Sequence, residues 1–440
     1  MNPTLRFAAL VAGLTIIAAA CGGGAATSAP AGSPAGSPAG SPAGSPSASG
    51  AGACTTDEIA LDLWTKEGPG DGALQLVKKL TQEYVAEHPN VKIAVTQKEV
   101  GGSESLREDF LKATLAKNPP DMLWTVADHV GPFEAANAIM PLDGLIDPGT
   151  YLPNALAAVQ ADGKTWGVPT SYGNQLMLYW NKSLVPTAPA DSDAMIAAAK
   201  ANTGNGNVGL AFRQEESFWV VPFLGAYGGS VFAADGKTPT LNTPAMVSAL
   251  KFLYDLKYTD KVTPKEADYT VADNLFKQGK AAMAINGDWA LGDYSKLPFE
   301  IGVGPIPKIV GADYPKPYTA GTFLMASSAL ADDADKQCVA IDFFKFATDK
   351  AHQLEMVAAL KRLPGNNEAI NDPIVTSDKF LAGAAEAVKL GVPQPTNLEM
   401  RCNFDAMNTA VRAVLGKGAD PATEAASAQA AAEACVKKIQ

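Results

Sequence analysis

Residues 59–95 read "IALDLWTKEGPGDGALQLVKKLTQEYVAEHPNVKIAV". Ile59, Leu61 and Leu63 alternate along the first few residues, as the inward face of a half-buried strand requires. Leu76, Val77, Leu80 and Tyr84 then recur at helical spacing, and "VKIAV" (91–95) alternates again. Strand, helix and strand in succession make a βαβ unit, whose crossover is expected to be right-handed and whose sheet is expected to be parallel. The fold class read from this stretch is α/β.

The same rhythm returns downstream. In "NTPAMVSALKFLYDLKYTD" (242–260) Thr243 is placed to cap a helix and Pro244 to open it, with Met246, Leu250, Leu253 and Leu256 on one face. "YTVADNLFKQGK" (269–280) reads as a shorter helix closed by Gly279, and "AAMAI" (281–285) as the strand after it. That strand ends at Asn-Gly-Asp and is followed at once by Trp289. Open α/β sheets collect ligands outside their strand ends, so a tryptophan delivered there by a glycine turn is expected to face a cleft. The competing reading is a core plug, since tryptophan is highly buried on average.

At 440 residues the chain has room for two domains with separate cores. Its 35 Lys plus Arg stand against 46 Asp plus Glu, a balance opposed to neutralising a phosphate backbone, so no nucleic-acid partner is expected. Residues 1–20 read as a signal peptide: Arg6 gives a positive start, and Phe7 to Ala20 is too short an apolar run for a permanent span. The run closes in "AAAC", which resembles a bacterial lipobox with Cys21 as the lipidated residue; ordinary cleavage after an A-x-A site is the alternative. Residues 21–54, with four AGSP repeats, have the composition of a disordered tether. Lipid at one end and a folded body at the other form a coherent whole, provided more than one acyl chain is attached.

Four of the five cysteines then remain, enough for two disulfides in an exported protein. Residues 403–439 read as two helices around a "GKGAD" turn, and Cys402 and Cys435 lie equidistant from it, so an antiparallel hairpin brings them together. Cys54 and Cys338 would pair by elimination. Buried free thiols are the alternative.

Constellations for chemistry are scarce. The three histidines, His88, His129 and His352, lack metal-ligand spacing, and HExxH, G-x-S-x-G and phosphate-loop motifs are absent. Asp332, Asp333 and Asp335 lack the glycine and distal glutamate of a calcium loop and read as a solvated face. No cofactor, no metal and no catalytic residue is expected. Paired carboxylates for glycoside hydrolysis stay open, because their pairing is spatial.

Five stretches stand in a telling order: "PPDMLWTVADHVG" (119–131), "GKTWGVPTSYGNQLMLYWNKSLVP" (163–186), "ESFWVVPFLGAYGGSVF" (216–232), "DYTVADNLFKQGKAAMAINGDWAL" (268–291) and "LGVPQPTNLEMRCNFDAMNTAV" (390–411). With them the chain, from about Ile59 to its end, resembles the family 1 extracellular solute-binding proteins, capture subunits of ABC importers, and most nearly the maltose and maltodextrin binders. The resemblance implies a type II periplasmic-binding-protein fold: two α/β lobes joined by a hinge, with a ligand cleft between them. The N-terminal lobe is expected at 55–172 plus 308–363 and the C-terminal lobe at 173–307 plus 364–440. It also implies an exported, non-enzymatic monomer, lipid-anchored on the outer face of the bacterial cytoplasmic membrane, that delivers an oligosaccharide to ABC permease transmembrane subunits.

Sugars offer flat C–H patches that stack on aromatic rings and a rim of hydroxyls that carboxylates accept strongly. The resemblance implies stacking by Trp289, Phe218 and Phe404 and hydroxyl binding by Glu216, Asp128, Lys66 and Glu67. Asp405 and Arg362 join them from their neighbourhood in the same alignment. Phe218 and Trp219 are adjacent, so one faces the cleft while the other packs inward, and Phe218 is taken as the former. Trp64 and Trp124 end strands and could serve either purpose. The chain departs from the maltose pattern at His129, where an arginine is common, at Asn174, where a glutamate is, and at Phe404, which replaces a tryptophan platform. A maltose-type glucan is expected as cargo, with another oligosaccharide such as trehalose close behind. A tethered carbohydrate-active hydrolase is the rival of a different class, and a peptide, polyamine or sugar phosphate the rival cargo; phosphate would call for a more basic wall.

Overall fold

The computed structural model describes residues 54–68, 72–98 and 104–439. The expected signal peptide, Cys21 and the tether up to residue 53 lie outside the described residues. No helix among the described residues is long and apolar enough to cross a membrane.

The opening βαβ unit forms as read. Strands Ile59–Thr65 and Val91–Gln97 pair in parallel, Ile59 opposite Val91 through Thr65 opposite Gln97. The helix Ala73–Glu87 between them buries Leu76, Val77, Leu80 and Tyr84. Leu80 has no exposed surface, so truncating it to alanine would cost about 2–5 kcal/mol. Strand Met122–Val126 adds in parallel beside Ile59–Thr65, and Thr322–Ala326 and Val168–Pro169 complete a five-stranded sheet in antiparallel fashion.

A second, four-stranded sheet has the order Ile301–Gly304, Leu176–Asn181, Ala281–Gly287, Val208–Ala211. Its last two strands run parallel and the others antiparallel. Ala281–Gly287 is buried at every residue, as a central strand covered on both faces must be. Helix Pro244–Tyr254 packs here, and the Thr243 hydroxyl accepts from the Met246 amide at 3.2 Å, the cap read from the sequence. Each sheet has its own apolar core: Leu63, Leu80, Leu324 and Phe343 belong to the first, and Leu178, Leu210, Leu250 and Met283 to the second.

Three segments pass between the sheets and touch one another. The Tyr172 amide donates to the Leu363 carbonyl at 2.8 Å, and Gly173 and Ala320 exchange backbone bonds at 3.3 and 2.8 Å. Gly173 (φ 153°) and Gly321 (φ 147°) hold conformations that side-chain-bearing residues rarely adopt. These three strands form the hinge of a two-lobed molecule. Just past the expected border at 308, Ile309 sits in the second sheet's core with Ile306, and the Asp313 and Lys316 amides donate to the Ala226 and Pro222 carbonyls at 3.1 and 2.9 Å. The chain crosses back at Tyr318–Thr319, which pairs with Val392–Pro393.

The chain ends in the expected helical hairpin, Glu399–Lys417 and Pro421–Ile439. Cys402–Cys435 bridges its helices with Cα atoms 5.5 Å apart, and Cys54–Cys338 ties the start of the described chain to helix Ala334–Ala347 at 5.6 Å. Asp333, read as part of a solvated acidic face, caps that last helix by accepting from Lys336 at 3.0 Å.

Candidate functional site

Both sheets present residues at the carboxyl ends of parallel strand pairs, where helix and loop starts leave room for a ligand. In the first lobe, Lys66 follows strand Ile59–Thr65 and Asp128 follows the neighbouring strand Met122–Val126. The Lys66 amide donates to the Trp124 carbonyl at 3.1 Å, which fixes the two ends side by side. In the second lobe, Glu216 and Phe218 follow strand Val208–Ala211, and Asp288 and Trp289 follow Ala281–Gly287.

The aromatic groups gather on the second lobe. Phe218 lies 6.2 Å from Trp289 and 6.3 Å from Tyr318 between ring centroids, and Tyr318 lies 6.4 Å from Phe404. Phe218, Trp289 and Phe404 are half-buried and Tyr318 is buried, so the row keeps three partly open rings. Trp219 turns inward, its indole N–H donating to the Ile285 carbonyl at 2.9 Å. Of the two adjacent aromatics, then, Phe218 is the outward one.

Trp289 is held from two sides. Its indole N–H donates to the Tyr269 hydroxyl at 2.9 Å. Its ring folds back over Gly287, where an added Cβ would lie 2.1 Å from the indole. Gly287 has φ −82°, so the glycine turn expected from the sequence is not a left-handed turn: the glycine supplies space for the ring rather than backbone freedom.

Charge is concentrated around Lys66. Asp288 is buried, and its carboxylate accepts from the Asn174 amide at 3.0 Å. Burial raises its pKa, against the nearby charges of Arg362 and Lys66. Asp128, partly buried, is likewise raised by desolvation, against its own backbone hydrogen bond and the charges of Arg107, Arg401 and Lys66. Arg401 belongs to the second lobe, so Asp128 faces a cation across the cleft. Glu67 is buried beside Arg362, whose guanidinium donates to both carboxylate oxygens at 2.9 and 3.4 Å. Burial pushes the Glu67 pKa up, but Arg362 and Lys66 together hold it at about 2.

Several expected ligand groups are engaged with other residues of the protein. His129 has no exposed surface: it meets the Thr125 hydroxyl at 2.7 Å and packs on Phe133, because the third residue of the turn Ala127–His129 points back into the core. Glu67 and Arg362, 3 % and 6 % exposed, are paired with each other. Asp405 is exposed and paired with Arg401 at 2.7 Å one helical turn away. Glu216 is paired with Arg213. Asn174 sits at the hinge in a left-handed conformation, φ 61°, and contributes its backbone N–H. Trp124 is core, and Trp64 is covered by the Lys98 ammonium 3.9 Å from its ring.

Sequence reasoning missed Asp288, Tyr269 and Tyr318. Asp288 stood inside the Asn-Gly-Asp stop and was legible as an acid beside the tryptophan. Tyr269 and Tyr318 carried no signal, since their contacts arise only from the folded arrangement.

A family model described as bacterial extracellular solute-binding protein matches residues 79–383. The chain is 26% identical over 362 residues to the maltotriose-binding protein of Pyrococcus abyssi, covering 80% of this chain and 77% of that protein. It is 23% identical over 299 residues to the maltodextrin-binding protein MdxE of Bacillus subtilis, covering 65% and 70%. Among solved structures, the maltose/maltodextrin-binding domain MalE from Bdellovibrio bacteriovorus bound to maltotriose superposes with a TM-score of 0.80 at 30% identity, covering 86% of this chain and all of that one. The two-lobed α/β architecture is that of the type II periplasmic binding proteins, and the chain belongs to the bacterial extracellular solute-binding proteins.

Proposed function

We propose that this protein captures a maltodextrin-type oligosaccharide by hinge closure and hands it intact to the transmembrane subunits of an ABC importer. The observation that carries the reading is the row Phe218, Trp289, Tyr318 and Phe404 on one lobe, facing Asp128 and Lys66 at the strand ends of the other. Rings stack on the C–H faces of a glucan, and acids and a lysine satisfy its hydroxyls, which are costly to bury unpaired. Asp288 joins them as a buried carboxylate beside the platform. The sugars named for the relatives in Pyrococcus abyssi and Bdellovibrio bacteriovorus support the same class of cargo.

The amino-terminal sequence supports export with lipidation at Cys21, residues 22–53 acting as a spacer above the outer face of the membrane. The chain works as a monomer, and its lobes divide near residues 172, 318 and 363, where the hinge strands cross. Titration calorimetry with maltose, maltotriose and maltotetraose tests the reading, followed by mass spectrometry of the recovered sugar. Stoichiometric binding and intact recovery are expected. Cleaved products would make the protein a hydrolase, and binding confined to trehalose or another oligosaccharide would replace the cargo. Trp289→Ala is expected to weaken binding at least about thirtyfold, the loss of about 2 kcal/mol typical of a central aromatic anchor.

A further inference from the structure

Helix Val130–Ala135 begins four residues after the last residue of strand Met122–Val126 and carries Gly131 at its second position. Gly131 is buried, and what buries it is the backbone of the other lobe. A Cβ built there would lie 2.1 Å from the Thr396 carbonyl oxygen, 2.8 Å from the Asn397 carbonyl carbon and 2.9 Å from the Leu398 nitrogen. Residues 396–398 lead into helix Glu399–Lys417, whose Met400, Met407 and Val411 lie in the second sheet's core. Phe133, two residues after Gly131, lies in a core with Leu123 and Phe323 of the first sheet. The contact therefore joins the lobes, and it is separate in sequence from the three hinge strands.

We propose that Gly131 is the residue that sets how far the lobes close. Side chains can rotate away from an obstacle, but the three atoms met here are all backbone, and carbon does not approach such atoms much inside 3.4 Å. Any side chain at 131 holds the lobes apart at this edge. Asp128 stands three residues before Gly131, and Phe404 stands on the helix that residues 396–398 introduce, so the separation set at Gly131 is also the separation between the acidic and aromatic walls. An added methyl group disfavours the lobe arrangement that makes this contact, and on the proposal that the sugar selects that arrangement, ligand affinity falls by the factor by which it is disfavoured.

The inference rests on the proposed sugar capture, and the test separates the two. Wild type, Gly131→Ala, Gly131→Val and the control Gly416→Ala are titrated with maltotriose, and small-angle scattering is measured with and without saturating sugar. Gly416 also lies on helix Glu399–Lys417, but a Cβ there meets nothing within 4 Å. Expected are at least a tenfold loss of affinity for Gly131→Ala, a larger loss for Gly131→Val, and no change for Gly416→Ala. The sugar-induced contraction of the wild type should be reduced in both Gly131 variants, while their unliganded melting temperatures stay at the wild-type value. Gly131→Ala binding within twofold of wild type would overturn the role of Gly131 while leaving sugar capture intact, as would a melting temperature that falls in step with affinity. Wild type that binds no maltodextrin would overturn sugar capture and, with it, this role.

Discussion

Replacing Glu67 with glutamine removes one charge from a buried pair and keeps the side chain's size. Arg362 is left 6 % exposed with its main counter-charge gone, and Lys66, 3.6 Å from the same carboxylate, loses an attraction too. The magnitude can be worked in two ways. In the folded protein the Glu67 pKa is about 2, against an ordinary 4.5, a preference for the charged form worth about 3 kcal/mol. Breaking a buried ion pair by deleting one partner typically costs about 3–5 kcal/mol. Both routes lead to a loss of about 3 kcal/mol for Glu67→Gln at pH 7.

The pH dependence carries a definite sign. Because the folded pKa lies below the unfolded value, the unfolded chain binds the proton more readily. The stabilisation is complete above about pH 4.5 and is lost as pH falls toward about 2. Urea unfolding of wild type and Glu67→Gln at intervals from pH 7 to pH 3 should give a constant gap down to about 4.5 and a narrowing gap below it. The double variant Glu67→Leu with Arg362→Met should be more stable than either single variant, since it removes the charges together. A gap under about 1 kcal/mol at pH 7, or one that stays flat to pH 3, would refute the claim that this pair supports the fold.

Other perturbations follow from single contacts. Gly287→Ala places a methyl group where the indole of Trp289 lies, so sugar binding measured by calorimetry should fall by tenfold or more while the far-ultraviolet circular dichroism stays unchanged. Tyr269→Phe removes the hydroxyl that holds the same indole and should cost about 1 kcal/mol of binding, roughly fivefold, without removing a ring. Removing the Cys402–Cys435 bridge with paired alanines should lower unfolding free energy by about 4 kcal/mol from loop closure over its 33-residue separation, read by chemical denaturation.

Local features of the fold were legible because their causes are local. Alternation at Ile59, Leu61 and Leu63, the cap at Thr243 and the equidistance of Cys402 and Cys435 from one turn each depend on residues close in sequence or on one reflection about a loop. Outward Phe218 and inward Trp219 were also foreseeable, since neighbours cannot share a face. What stayed hidden depends on distant meetings. Glu67 and Arg362 are 295 positions apart, so neither betrays that it will neutralise the other. The burial of His129 is hidden for a subtler reason: the turn that carries it also carries Asp128, and only its geometry decides which of the two points into the core. The excursion from 308 to 318 is equally hard to read, since its contacts with Pro222 and Ala226 join segments distant in sequence.

The placement of the two raised carboxyls adds an argument about what the cleft is for. Asp128 and Asp288 both have pKa values pushed up by burial, because their surroundings disfavour the charged form. A folded pKa above the unfolded value makes a contribution that is complete at low pH and lost as pH rises through the folded pKa, so these two acids cost stability at pH 7 where Glu67 adds it. A fold gains nothing from such groups by itself, and Glu67 shows that this chain can bury an acid with a full partner when only structure is at stake. Their cost makes sense where a ligand completes the hydrogen bonding, and they stand one on each lobe, at the carboxyl ends of the parallel strands. Asp288→Asn is therefore expected to melt no lower than wild type at pH 7 while binding maltotriose at least tenfold more weakly. A variant that lost stability and kept its affinity would mark Asp288 as a purely structural acid and remove the electrostatic half of the proposed site.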